Sequence, residues 1–338
     1  MKLVSRICLV ASLVVLGVGP TGTSGTTGTP GPWNELALAI FPLKMTGIRF
    51  LGPDVPVVPD VPVGPTSAVY QRSSPRRIIS IIPAVTEMLF AMGAGEQVVG
   101  VSSYDRYPAA VASRERVGAL LDPNVERIFA LKPDLVVVYG TQQELIARLD
   151  RAGVPTFGYQ HAGLADITIT IRRLGQRVGR SQEAERLAAQ IERNIEEIRQ
   201  RVSGRPRPRT ALLFDRESGT LRGMYASAGV GFMHDMLEVA GGADAFADVK
   251  RQSLQLSAEM LLARAPEVIV EIQSSEGWNA EKIERERTVW QTLTSVPAVR
   301  TGRIHILADD RLSIPGPRVA DAIRLLARVL HPAAFGAQ

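Results

Sequence analysis

The side chains of this sequence that could carry chemistry are few and scattered. Four histidines, His161, His234, His305 and His331, show no short metal-ligand spacing of the H-x-x-x-H kind. His305 falls inside an apolar run and reads as a sheet residue. His161 follows the end of a strand, where it can face a cleft. His234 opens a helix beside YASAGVG (Tyr225 to Gly231), which reads as a Gly-rich turn. That turn is neither G-x-G-x-x-G nor a Walker loop, which argues against nucleotide binding. Ser102 and Ser227 lack a G-x-S-x-G context, and no nucleophile has a local base, so no enzyme activity is expected. Cys8 is the only cysteine, which excludes an internal disulfide framework and a Cys-based zinc site.

What does recur is a carboxylate at one fixed place in a repeated segment. Glu126 is followed by Ala130, Pro133, Asp134 and an apolar strand (ERIFALKPDLVVV). Glu259 is followed at the same spacing by Ala263, Pro266, Glu267 and another apolar strand (EMLLARAPEVIVE). A second echo pairs MLFAMG at Met88 to Gly93 with MLEVAG at Met236 to Gly241. The simplest physical account is two lobes of similar build with a ligand cleft between them. Each Glu stands in the first turn of a helix, behind Asn124 or Ser257 as cap. There a carboxylate stabilises the helix dipole by about 0.3–1 kcal/mol and stays exposed for a second role.

The elements that must position these residues follow a β/α alternation. Apolar runs at Ile78 to Ile82, Val98 to Val101, Leu135 to Tyr139 and Pro155 to Tyr159 read as strands. Thr86 to Met92, Val125 to Leu131 and Gln142 to Ala152 read as helices between them. The same grammar restarts with strands at Leu212 to Phe214, Val268 to Ile272 and Ile304 to Leu307. Its helices are Phe232 to Val239, Ala258 to Ala263 and Arg318 to Leu330. This predicts parallel sheets covered by helices on both faces. Between the halves, Ser181 to Val202 has no Gly or Pro and places Leu187, Ile191, Ile195, Ile198 and Val202 on one face, with Ser181 as the candidate N-cap. About twenty residues at 1.5 Å each reach roughly 30 Å, enough for a stiff strut between two lobes.

The bulk numbers agree with two ordinary domains. The chain has 338 residues, is 45% hydrophobic and 22% charged, and carries a formal charge of +5 spread among mixed signs, which argues against nucleic-acid binding. Lys2, Arg6 and the apolar Ile7 to Val18 read as an export signal over residues 1–22, too short to span a bilayer. Arg6 stands where a lipoprotein cleavage site has a small residue, so Cys8 is not expected to carry lipid. The expected location is periplasmic and not lipid-anchored. Residues 23–75 read as a low-complexity, Pro-rich linker, 76–180 as a first α/β lobe, 181–204 as the interlobe helix and 205–335 as a second lobe.

From about Arg77 to Leu330 the chain resembles the periplasmic binding proteins whose lobes are joined by a rigid backbone helix, a family that serves cobalamin, ferric siderophores, heme and some free metal ions. The segments that carry the likeness are RIISIIPAVTEMLFAMGAGEQVVGVSSYDRYP, NVERIFALKPDLVVV, MLEVAGGADAFADV, LSAEMLLARAPEVIV and DDRLSIPGPRVADAI. The resemblance implies an α/β fold of two Rossmann-like lobes joined by one long helix, the class III periplasmic binding protein. It implies the substrate-binding component of an ABC importer, a monomer without a resident cofactor, which captures a corrinoid such as cobalamin and delivers it to a permease with its ATPase. A ferric siderophore or heme is the alternative ligand, and a free Zn or Mn ion a further one. In the cobalamin branch the first Tyr of the SSYDRYP motif lies against the corrinoid, which implies that role for Tyr104, with Tyr139 and Asp310 also at the ligand. The chain departs from that branch by lacking its tryptophans near Leu120, Ser253 and Arg311. Arg311 and Arg318 are then candidates for bidentate contacts to an anionic chelate. The resemblance also assigns Glu126 and Glu259 to docking on arginines of the permease.

Overall fold

The computed structural model describes residues 74–336. The expected signal peptide and all but the last two residues of the expected linker lie outside the described residues. Strands β1 (Ile78–Ser80), β2 (Val98–Val101), β3 (Glu115–Arg116), β4 (Leu135–Tyr139) and β5 (Thr156–Tyr159) form the first sheet, in the order β3-β2-β1-β4-β5. Every pairing in it is parallel. Buried runs such as LVVVY in β4 are what a strand covered on both faces requires. Helices α1 (Pro83–Ala91), α2 (Val125–Ala130), α3 (Gln143–Arg151) and α4 (Ala165–Val178) accompany these strands.

A single long helix follows, α5 (Ser181–Val202), whose 22 residues make a rod of about 33 Å. Its buried stripe is Ala184, Ala188, Ile191, Ile195, Ile198 and Val202, at alternating spacings of four and three. Ser181 does not cap it: the N-cap is Arg180, without a side-chain hydrogen bond. Charge holds this end instead, because Arg172 of α4 pairs with both Glu185 and Glu192 of α5. The two helices approach closely enough that a Cβ at Gly175 would come within 2.2 Å of the Ala184 Cβ.

The second sheet contains β6 (Arg209–Asp215), β7 (Met224–Ala228), β8 (Ala243–Asp244), β9 (Arg251–Leu256), β10 (Val268–Gln273) and β11 (Ile304–Ala308). Its order is β11-β10-β6-β7-β9, with β8 on β6. The pairings of β6 with β10 and β10 with β11 are parallel, but β7 runs antiparallel to both β6 and β9. The second lobe is therefore a mixed sheet and not a second copy of the first. Helices α6 (Phe232–Val239), α7 (Ala258–Arg264), α8 (Ala280–Thr288), α9 (Pro297–Arg300), α10 (Val319–Leu330) and α11 (Pro332–Phe335) complete it. α5 packs against α4 on one side and α10 on the other, so one rod serves both lobes. One core runs from the first sheet along α5 to the face of the second sheet that carries Leu212, Phe214, Val268 and Val270. The opposite face, with Ala211, Leu213 and Ile269, packs separately around Trp290.

The repeated segment is a repeated structure. Asn124 Oδ1 accepts from the Arg127 amide at 2.9 Å, and Ser257 Oγ from the Met260 amide at 3.3 Å. Each helix then ends in a residue with positive φ, Lys132 at 46° and Ala265 at 45°, before its proline. Asp134 accepts from the amides of Arg76 and Arg77, and Glu267 from that of Arg209. These carboxylates fasten β4 to the start of β1 and β10 to the start of β6. The echo thus encodes a cap, a left-handed stop and a strand clamp in each lobe.

Candidate functional site

In open α/β sheets, ligands bind beyond the carboxyl ends of the parallel strands. Here the loops after β1, β2, β10 and β11 meet across the two lobes. Glu87 of α1 accepts from Arg318, at the start of α10, with Nε to Oε2 at 2.9 Å and Nη2 to the other oxygen. The Arg318 guanidinium lies 4.0 Å from the Tyr107 ring centroid. Arg106 Nη2 reaches Glu276 Oε2 at 2.6 Å. On the side of β5, Asp235 of α6 accepts from the Leu164 amide at 2.8 Å, and the His161 ring meets Phe232 edge-on at 5.3 Å.

Tyr104 is half-buried in the loop after β2. That loop is stiffened from inside. Asp105 accepts from the Ser102 amide at 2.8 Å, and Arg116 Nη1 donates to the carbonyls of Ser102 and Asp105, each at 2.8 Å. Burial raises the Asp105 pKa to about 6. Asp310 accepts from the Ser275 amide at 3.0 Å and hydroxyl at 2.6 Å, which ties the turn after β11 to the loop after β10. Tyr139 belongs to a different group. It is buried at the end of β4 and meets Tyr159 edge-on at 5.4 Å, and Tyr159 stacks toward His161 at 6.3 Å. Tyr159 Oη and His161 Nδ1 are buried without hydrogen-bond partners among the described residues. Burial lowers the His161 pKa to about 4, so the ring is neutral at neutral pH.

The two arginines expected to greet an anionic chelate are both engaged. Arg311 Nε donates to both oxygens of Asp309, at 2.9 and 3.1 Å, and Arg318 is held by Glu87. The partner that reading along the chain passed over is Glu87. Its signal was present as the single charge in the apolar run SIIPAVTEMLFAMG. Arg106, Tyr107 and Glu276 carried no such signal, because charged and aromatic loop residues are common. Glu126 and Glu259 are exposed in the first turns of α2 and α7. Hydrogen bonds from the Ser257 hydroxyl and its own backbone amide hold Glu259 below the usual carboxylate range. Among the described residues, no three His, Cys, Asp or Glu side chains converge as a metal site.

Two α/β lobes on one long helix, with their loops meeting across the lobes, define the class III binding-protein architecture. The family profile described as periplasmic binding protein matches residues 78–310, and the chain belongs to that family. Its members are binding components, and the protein is a carrier and not an enzyme. A vitamin B12-binding protein from Pectobacterium carotovorum subsp. carotovorum (strain PC1) is 29% identical over 247 residues, covering 72% of this chain and 84% of that protein. An uncharacterized ABC transporter substrate-binding lipoprotein from Bacillus subtilis (strain 168) is 27% identical over 269 residues, 78% of this chain and 82% of its own length. The apo structure of a periplasmic heme-binding protein from Roseiflexus sp. RS-1 superposes with a TM-score of 0.65 at 28% identity. It covers 77% of this chain and 99% of that one.

The Bacillus relative overturns one expectation from the sequence. The exclusion of a lipid anchor rested on Arg6 beside Cys8, and a relative matched along most of its length is a lipoprotein. One unfavourable neighbour is too weak a ground for excluding lipidation, so the expectation of a protein without a lipid anchor is withdrawn.

Proposed function

We propose that the protein is the substrate-binding component of an ABC importer, capturing a corrinoid between its lobes for delivery to a permease with its ATPase. The observation that supports this most is the Tyr104 loop. Tyr104 is half-buried in a loop whose backbone is fixed by Asp105 and Arg116 and which reaches the second lobe through Arg106 and Tyr107. A flat, largely apolar ring gains from a preorganised aromatic face, because little side-chain freedom is lost on contact. The likeness to a vitamin B12-binding protein supports the same reading. Tyr139 and Asp310 complete the ligand surface in this account, and Arg311 and Arg318 border it. Glu126 and Glu259, exposed at equivalent places in the two lobes, are the docking points for the permease. The protein works as a monomer, and the only metal involved arrives inside the ligand.

The second reading is heme, supported by the likeness to a heme-binding structure and by the buried, neutral His161. Titration of the wild type with cyanocobalamin and with hemin separates the two, and Tyr104→Ala tests the first. Calorimetry with cyanocobalamin is expected to show at least tenfold weaker binding than wild type, and unchanged binding would remove Tyr104 from the site.

A further inference from the structure

Glu87 stands within α1 among apolar neighbours, its side chain 2% exposed. Both its oxygens are taken by Arg318, and the same guanidinium is stacked on Tyr107. Arg311 is closed onto Asp309 in the same bidentate fashion. These pairs do not act alone. Burial is the main influence raising the Glu87 pKa, Arg318 opposes it, and Asp310 adds repulsion. Asp309 in turn acts on Arg318. Asp321 also acts on Arg311 while paired with Arg324, so Glu87, Asp309, Asp310, Arg311, Arg318, Asp321 and Arg324 are one electrostatic group in which four carboxylates face three guanidiniums. The adjacent Arg106–Glu276 pair adds no net charge. An incoming carboxylate or catecholate meets no disengaged guanidinium in this group and a potential of its own sign.

We infer that Glu87 and Asp309 are specificity-determining residues: by engaging Arg318 and Arg311 they make the cleft select a chelate without net negative charge and reject anionic chelates. The inference rests on the reading that the interlobe cleft is the chelate site. Physically it is discrimination by an element set against the wrong ligand, in addition to contacts made with the right one. Freeing either guanidinium offers an anionic ligand a charge-assisted, bidentate contact that the wild type denies it.

The test uses the purified protein and three probes: cyanocobalamin, hemin with its two propionates, and a ferric tris-catecholate siderophore. Glu87→Gln and Asp309→Asn keep shape and remove one charge each. Each variant is expected to bind hemin and the tris-catecholate at least tenfold more tightly than wild type, with no comparable gain for cyanocobalamin. The double variants Glu87→Gln/Arg318→Gln and Asp309→Asn/Arg311→Gln are expected to lose that gain. Gains below about twofold in folded protein, an equal gain for all three probes, or a wild type that prefers the anionic chelates would overturn the inference. Should Glu87→Gln fail to fold, Asp309→Asn decides alone, because Asp309 is bonded within its own turn and partly exposed. Failure of the underlying reading looks different: the wild type then binds none of the three. In that case a gain of anionic chelate by the variants still supports the neutralisation, and its absence rejects it.

Discussion

Arg216→Met tests the charge network that fixes the loop after β6. The Arg216 side chain is 1% exposed, and its partners Glu271 and Glu286 are 0% and 2% exposed. Nε donates to Glu271 Oε2 at 2.9 Å, and Nη1 to Glu286 Oε2 at 2.8 Å and to the Glu217 and Thr220 carbonyls. Methionine keeps the stem and leaves two buried carboxylates without their shared guanidinium. Removing one partner of a buried pair costs about 3–5 kcal/mol. Glu286 retains the Ser218 hydroxyl and the Gly219 amide, and Glu271 retains Gln273 and the Trp290 Nε1, which favours the lower end. At roughly 2–4 °C per kcal/mol for a domain of about this size, the melting temperature should fall by about 10 °C. The pH dependence gives a second check. Burial pushes Glu286 up, but its bonds to Ser218, Gly219 and Arg216 outweigh burial and leave its pKa below 4.5. In wild type that pair contributes stability above the unfolded pKa and loses it as pH falls through the folded one. In Arg216→Met, Glu286 loses one of the interactions that hold its pKa down and takes up a proton more readily, so the deficit against wild type should shrink between pH 7.5 and pH 4.5. Melting followed by circular dichroism at both pH values measures it. A fall of less than about 2 °C at pH 7.5 would refute the reasoning.

Two other perturbations read other parts of the account. The folded pKa of Asp105 is raised from 3.8 to about 6, chiefly by burial, and its Oδ1 has no hydrogen-bond partner among the described residues. Its contribution is therefore full below about pH 3.8 and is lost as pH rises through about 6. Asp105→Asn, which keeps an acceptor for the Ser102 amide, should raise the melting temperature at pH 7.5 and leave it nearly unchanged at pH 4. An equal effect at both would contradict the shift. Glu126→Ala with Glu259→Ala should abolish most transport in reconstituted vesicles while the affinity of the isolated protein for cyanocobalamin stays within about twofold. A large loss of affinity would move those residues out of the docking role.

Much of the architecture was legible because it rests on local signals. The 22 residues of α5 lack helix breakers and keep one apolar stripe, and the two Pro-started strand segments repeat with their caps. What escaped reading had signals pointing elsewhere. α4 contains ITITI, a β-branched alternation that suits a strand, and it becomes a helix because Ile167, Ile171, Leu174 and Val178 pack at helical spacing. β7 is built of MYASA, whose small buried residues show no strand signature, so only Gly229–Gly231 of the expected turn lies outside it. In the site, single positions such as Tyr104 and Arg318 were visible as residues, but the pairing of Arg318 with Glu87 spans 231 positions and both lobes. Sequence order alone contains no measure of such a distance. The pair turns an arginine that looked available for an anion into one already neutralised.

We propose that the two lobes receive a corrinoid between them. Calorimetric titration of the wild-type protein with cyanocobalamin, beside hemin and a ferric tris-catecholate, tests it most directly. One-to-one binding of cyanocobalamin, tighter than either anionic chelate, is the expected result. Heat from hemin or the siderophore with none from cyanocobalamin would contradict it.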